Sequence, residues 1–156
     1  MITAVDTNIL LDLLIPNAAF ADQAQELLDE AHSRGRLIIS QVVYAELAGE
    51  FSSKEALDTF LQDTGVRLEA STPDVLYRAS VAWRQYRKHR QPGLQCPRCG
   101  HKQRLVCPHC HEPVQARRHI LTDFLVGAHA EVLADCLLSR DRGYHRQYFP
   151  RLKVLT

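Results

Sequence analysis

No stretch of this 156-residue chain is apolar over anything near the roughly 20 residues that a membrane-spanning helix requires, and the longest candidate, ILLDLLI, is broken by Asp12. The opening MITAVDTN lacks a basic segment ahead of an apolar one, so it does not read as a signal peptide, and the cytoplasm is the expected compartment. Cysteine is nearly confined to one stretch: four of the five lie between residues 96 and 110, and only Cys136 stands elsewhere. In a reducing compartment such a cluster points to metal ligation rather than disulfides. Acidic residues are almost missing from residues 84 to 119, which hold one of the chain's 18, Glu112, against nine of its 19 Lys and Arg. A segment of charge +8 therefore sits on a body of −7, a division hidden by the net charge of +1. Four thiolates on a zinc ion would trim the patch to about +6. Such a patch suits a polyanionic partner, most simply nucleic acid, although a solvated helix end followed by a soluble loop would carry the same charges.

Hydrophobic residues make up 46% of the chain and charged residues 24%, the balance of a soluble globular protein of one-domain length that can bury its own core. ITAV reads as a first strand that ends at Asp6. ADQAQELLDEAHSRG carries apolar residues at helical spacing and is stopped by Gly35. RLII is a second strand, after which Ser40 is placed to cap the helix QVVYAELAGEF. Ser52 and Glu55 have capping-box spacing ahead of ALDTFLQDTG, and VRLE follows as a third strand. Thr72 and Pro73 then open a long helix with a stripe through Leu76, Ala79, Trp83 and Tyr86. Past the cysteines, Thr122 is placed to cap DFLVGAHAEVLA, with CLLS and LKVLT as final strands. Strands alternating with helices predict an α/β fold with a largely parallel sheet.

The cysteine stretch QCPRCGHKQRLVCPHCHE has the spacing C-x2-C-x7-C-x2-C, and each pair can form a knuckle aimed at one ion. Zinc accepts four thiolates tetrahedrally, so Cys96, Cys99, Cys107 and Cys110 are the expected ligands, with His109 or His111 as substitutes for one of them. Four thiolates fill the zinc shell and leave no position for substrate or water, so this metal is structural. Free thiols on a loop are the plainer alternative, and Cys136 reads as a small buried hydrophobe.

With zinc set aside, chemistry falls to acids in unusual places. Asp6 and Asp141 follow strands, Asp123 lies in the first turn of a helix, and Glu46 sits within the apolar VVYAELAG. In an open α/β sheet, ligands bind beyond the carboxyl ends of the strands, where Asp6 and Asp141 lie. Each acid has an ordinary explanation as turn residue, helix-start charge or exposed position. Four acids on one edge would repel one another without divalent cations, however, and hard oxygen donors select Mg²⁺ or Mn²⁺.

The ordered motifs AVDTNILLD, VVYAELAGE, LTDFLVGAHA and LLSRDRGYHRQYFPRLKVL resemble the PIN-domain ribonucleases, in particular the VapC-like toxins of toxin–antitoxin pairs. The resemblance implies one PIN-like three-layer domain over residues 1–156, with residues 92–117 as an inserted zinc ribbon. It further implies an Mg²⁺- or Mn²⁺-dependent endoribonuclease whose acid quartet is Asp6, Glu46, Asp123 and Asp141, supported by Asn8 and Ser139. Asp12 is a weaker site candidate than a surface acid. RNA, a cognate antitoxin and a second copy in a homodimer are the implied partners. Arg98, Lys102, Arg104, Arg117 and Arg118 of the basic segment are the candidate RNA contacts. Compact toxins run directly into the helix of the third acid, whereas some PIN nucleases that mature ribosomal RNA carry a zinc ribbon, so an RNA-maturation nuclease is an alternative. A non-enzymatic zinc-stapled binding module is another. A phosphatase is less favoured, because its expected Asp-x-Asp start is Asp6-Thr7-Asn8 here.

Overall fold

The computed structural model describes residues 1–15, 18–89, 94–95, 101–114, 121–141 and 143–156. In chain order the elements are β1 (Ile2–Val5), α1 (Thr7–Leu14), α2 (Ala18–Ser33), β2 (Arg36–Ile39), α3 (Gln41–Ala48), α4 (Lys54–Asp63), β3 (Val66–Leu68) and α5 (Pro73–His89). Then follow β4 (Leu94–Gln95), β5 (Lys102–Gln103), β6 (Leu105–Val106), β7 (Pro113–Val114), α6 (Leu121–Leu133), β8 (Cys136–Leu138), α7 (Tyr144–Tyr148) and β9 (Val154–Leu155).

Five strands form a wholly parallel sheet in the order β3-β2-β1-β8-β9. The central strands β2, β1 and β8 are short, largely apolar runs buried on both faces, as the middle of a parallel sheet requires, while β3 and β9 at the edges are more open. Successive residues alternate between two cores: Val5, Leu37, Ile39 and Leu138 pack towards α1 to α4, while Ala4, Ile38 and Leu137 pack with residues of α5, α6 and α7. Helices thus cover both faces of the sheet. The chain leaves β1 towards β2 on one side, while β8 pairs with β1 on the other, so the strand order reverses at β1. Val5 is in register with Leu138, and the Asp6 amide donates to the Leu138 carbonyl at 2.9 Å. The first residues beyond these strands, Asp6 and Ser139, therefore emerge side by side at the switch point, where such sheets form a crevice.

Several helix starts follow sequence chemistry. The Ser40 hydroxyl accepts from the Val43 amide at 3.3 Å, and that of Thr72 from Val75 at 3.4 Å. The cap of α4 is Ser53, accepting from Ala56 at 3.2 Å, rather than Ser52. With the cap one residue later, Glu55 interacts with the helix start through its charge in the first turn instead of through a capping box. Likewise α6 begins at Leu121, so Thr122 is already helical and is not the cap. Gly65 closes α4 at φ +67°, where a Cβ would lie 2.5 Å from the His32 ring. Gly127 lets the chain after α7 approach α6, for a Cβ there would meet the Phe149 ring at 2.3 Å.

Within the cysteine segment, β4 pairs with β5 and β6 with β7, both antiparallel, and each ladder brackets one cysteine pair in the sequence. Cys96, Cys99, Arg98, Arg117 and Arg118 lie outside the described residues, as does the side chain of Lys102, whereas Arg104 is exposed. Among the described residues no helix is long and apolar enough to cross a membrane.

Candidate active site

The four acids singled out in the sequence line one cavity of about 340 Å³, together with Thr7, Asn8, Leu11, Val126, Tyr144 and His145. Asp6 comes from the end of β1, Glu46 from α3, Asp123 from the first turn of α6, and Asp141 from the loop between β8 and α7. Two of these origins are strand ends at the switch point, and the other two are helices whose starts face the same edge.

A hydrogen-bond network fixes the strand-end acids. Oδ2 of Asp6 accepts from Asn8 Nδ2 and from Ser139 Oγ, each at 2.6 Å. Asn8 Oδ1 accepts the Arg140 amide at 3.1 Å, and Ser139 Oγ accepts the Asp141 amide at 3.1 Å. Asp141 Oδ1 in turn accepts the amides of Gly143 at 2.9 Å and Tyr144 at 3.0 Å, which ties the start of α7 to the site. Glu46 accepts from the Thr7 hydroxyl, joining α3 to α1. Asn8 and Ser139, expected as supporting residues, thus stand directly against Asp6.

His145 was not anticipated. It is 4% exposed, and its Nε2 lies 3.8 Å from Asp6 Oδ2, within ion-pair range but beyond a good hydrogen bond. Nothing local in YHRQYF marks it, because its partner sits at the other end of the chain; only the topology that places α7 over the end of β1 reveals it. Burial by itself would raise the pKa of Asp6, but His145, the Ser139 hydroxyl and the Thr7 amide outweigh it and hold the carboxyl below its ordinary 3.8. Asp6 is therefore a fully ionised, mostly buried carboxylate at neutral pH. Tyr144 is driven the other way, its phenol raised by burial and then by the nearby Asp123, so it stays protonated.

The donors facing this cavity are carboxylate oxygens, the chemistry that Mg²⁺ and Mn²⁺ select. Among the described residues no three His, Cys, Asp or Glu side chains stand as a ready-made ligand cluster. Carboxylates resist being drawn together without counter-charge, and Asp6, Glu46 and Asp141 are instead held by hydroxyl and amide donors. The residues present fit a divalent cation by donor type and common cavity.

At the cysteine segment the described half is the second pair. Cys107 donates its amide to the Glu112 carbonyl, and its own carbonyl accepts the His111 amide, both at 2.9 Å; His111 turns the chain at φ 59°. Backbone amides of Cys110 and His109, followed by the Cys110 side chain, lower the thiol pKa of Cys107 below its ordinary 9.0. Amides converging on a sulfur favour thiolate, the form that binds metal.

A sequence profile of the PIN domain matches residues 3–150, and the chain belongs to that family. A comparison with curated proteins finds no match. Among solved structures the chain is similar to VapBC-1 from nontypeable Haemophilus influenzae, at 18% identity and a TM-score of 0.63, covering 99% of this chain and 97% of that one. VapBC2 from Rickettsia felis, bound to a DNA fragment from its promoter, matches at 16% identity and a TM-score of 0.62 over 99% and 98% of the two chains. VapC20 of Mycobacterium tuberculosis, a toxin that cleaves the sarcin–ricin loop, matches at 17% and 0.54 over 97% and 98%. At such identities the likeness is one of fold.

Proposed function

We propose that this PIN-domain protein is an Mg²⁺- or Mn²⁺-dependent endoribonuclease, the toxin of a toxin–antitoxin pair. The observation that carries the reading is the single cavity at the ends of β1 and β8 lined by Asp6, Glu46, Asp123 and Asp141. The family membership and the fold shared with a toxin that cleaves the sarcin–ricin loop support it.

When bound, a divalent cation supplies Lewis-acid activation of water and offsets charge on the scissile phosphate. Asp6, Asp123 and Asp141 are the proposed ligands, direct or through water, and Glu46 serves as a ligand or orients the water. Ser139 and Asn8 fix one oxygen of Asp6, so the carboxylate has a defined direction rather than a freely turning one. His145 favours the ionised form of Asp6 without closing the cavity. Leu11 and Val126 supply the apolar part of the cavity's lining.

Zn²⁺ at Cys96, Cys99, Cys107 and Cys110 is proposed as structural, supported by the amides gathered on Cys107. It would hold the basic segment, with Arg98, Lys102, Arg104, Arg117 and Arg118, for RNA or for a partner. A cognate antitoxin and a homodimer complete the proposal, the former supported by the two similar chains from VapBC structures. Incubation of the purified protein with total RNA and Mn²⁺, followed by mapping of new ends, should yield discrete cuts that disappear in EDTA. Absence of new ends with Mn²⁺ and with Mg²⁺ would overturn the reading.

A further inference from the structure

A second cavity lies at the same edge of the sheet. It has a volume of about 240 Å³ and is lined by residues of α1 (Ile9, Asp12), α2 (Phe20, Gln23, among others) and by Arg140 and Thr156, which follow β8 and β9. Helix α1 separates the two cavities: Asn8 and Leu11 face the acids, while Ile9 and Asp12, one residue further round in each case, face the second space.

Arg140 links them. It stands between Ser139 and Asp141, and its amide is held by Asn8, the residue that also holds Asp6. Its side chain leaves in the other direction: the guanidinium lies 4.9 Å from the centroid of the Phe20 ring and pairs with Asp12 at 2.9 Å. Because Asp12 neutralises it, this arginine is poorly suited to gripping a phosphate. It is instead a flat, weakly hydrated plate laid over one face of the ring of Phe20, a residue that is 44% exposed, so that a base stacks on the guanidinium or on the other face of the ring. Aromatic rings and guanidinium planes are the surfaces on which unstacked RNA bases are held. The edge groups are also specific. Arg140 holds Oδ2 of Asp12, which leaves Oδ1 to accept a hydrogen bond, and the exposed amide of Gln23 both donates and accepts. Guanine offers neighbouring N–H donors on N1 and N2 and an acceptor at O6, which matches that pair.

We propose that this cavity is a nucleobase subsite that seats a guanine of the RNA beside the scissile phosphate. The proposal rests on the endoribonuclease reading for its biological use, but binding of the base does not depend on cleavage.

Calorimetry with GMP, AMP, CMP and UMP tests it directly. GMP should bind at least about 5-fold more tightly than the other three, and Phe20→Ala should weaken it about 10-fold, as loss of one stacking surface does. Phe20 is exposed enough for the variant to fold, and Gln23→Ala, at an exposed position, provides a second test through loss of the preference for GMP. Equal binding of all four nucleotides, or GMP binding indifferent to Phe20 and Gln23, overturns the proposal. In parallel, cleavage of a random-sequence RNA pool should show guanine enriched at one fixed position beside the cut, with the enrichment lost in Phe20→Ala. Cleavage without any base preference that Phe20→Ala alters would overturn the subsite and leave the nuclease standing. Selective GMP binding without cleavage would leave the subsite standing and defeat the nuclease.

Discussion

A carboxylate at the end of a buried strand is costly to ionise, and Asp6 remains charged because Ser139, Asn8 and His145 surround it. Ser139→Ala removes a 2.6 Å hydrogen bond that favours the charged form, so Asp6 should protonate at a higher pH. The acid limb of a pH–rate profile for RNA cleavage should move upward accordingly, and an unmoved limb would separate Ser139 from the chemistry. His129 presents the opposite case. It is 1% exposed, its Nε2 lies 3.0 Å from the Glu69 carbonyl oxygen, and burial lowers its pKa below 6.5. Below that value the unfolded chain binds a proton that the folded chain refuses, so stability falls as pH drops from 6.5 towards the folded pKa and then levels. Urea unfolding at several pH values should show this loss in the native protein and a flatter profile in His129→Gln.

At the scale of elements, α7 is held at both ends. Asp141 accepts its first amides, and Arg78 of α5 donates to the Tyr148 carbonyl at 2.8 Å, covers the Phe149 ring at 4.6 Å and pairs with Glu131 of α6. Glu131 is 4% exposed on its side chain, so Arg78→Met leaves a buried charge without its partner and should cost about 3–5 kcal/mol in urea unfolding. Much of the sheet and helix order was legible because short β-branched or apolar runs ended at acids and glycines, as at Val5-Asp6, or at a capping serine, as at Ile39-Ser40. Helix α1 was not, since only Thr7, Asn8 and Asp12 interrupt its apolar run, and α7 has only five residues. The misplaced cap of α4 reflects two adjacent serines that are chemically alike: the spacing of Ser52 to Glu55 favours the first, whereas Ser53 accepts the Ala56 amide. The acid quartet was legible as motifs, but the grouping of Ser139, Asp6 and His145 depends on β1 and β8 being neighbours, which no local pattern encodes.

At the scale of the molecule, an acidic cavity that cleaves RNA, as proposed, has to receive a polyanion, and the excess of positive charge over residues 84 to 119 offers an answer. If those residues grip RNA, replacing Arg98, Lys102 and Arg104 together with Ala should lower the slope of log affinity against log salt by about 0.7 for each phosphate of a single strand that the protein no longer neutralises. A fluorescence titration of labelled RNA at several salt concentrations measures it, and an unchanged slope would assign the segment to a protein partner instead. Metal analysis should find zinc equimolar with the chain and absent from the double variant Cys107→Ser with Cys110→Ser; zinc retained in that variant would remove the second cysteine pair from the site. The central claim, that the carboxylates at the ends of β1 and β8 make a divalent-dependent ribonuclease, is tested most directly by comparing RNA cleavage by the native protein and by Asp6→Asn with Mn²⁺ present and then chelated. We predict cleavage by the native protein only with the metal, and a loss of at least about 100-fold in a folded Asp6→Asn, the scale on which removing an activating group slows catalysis. Equal, metal-dependent cleavage by both proteins would contradict the account.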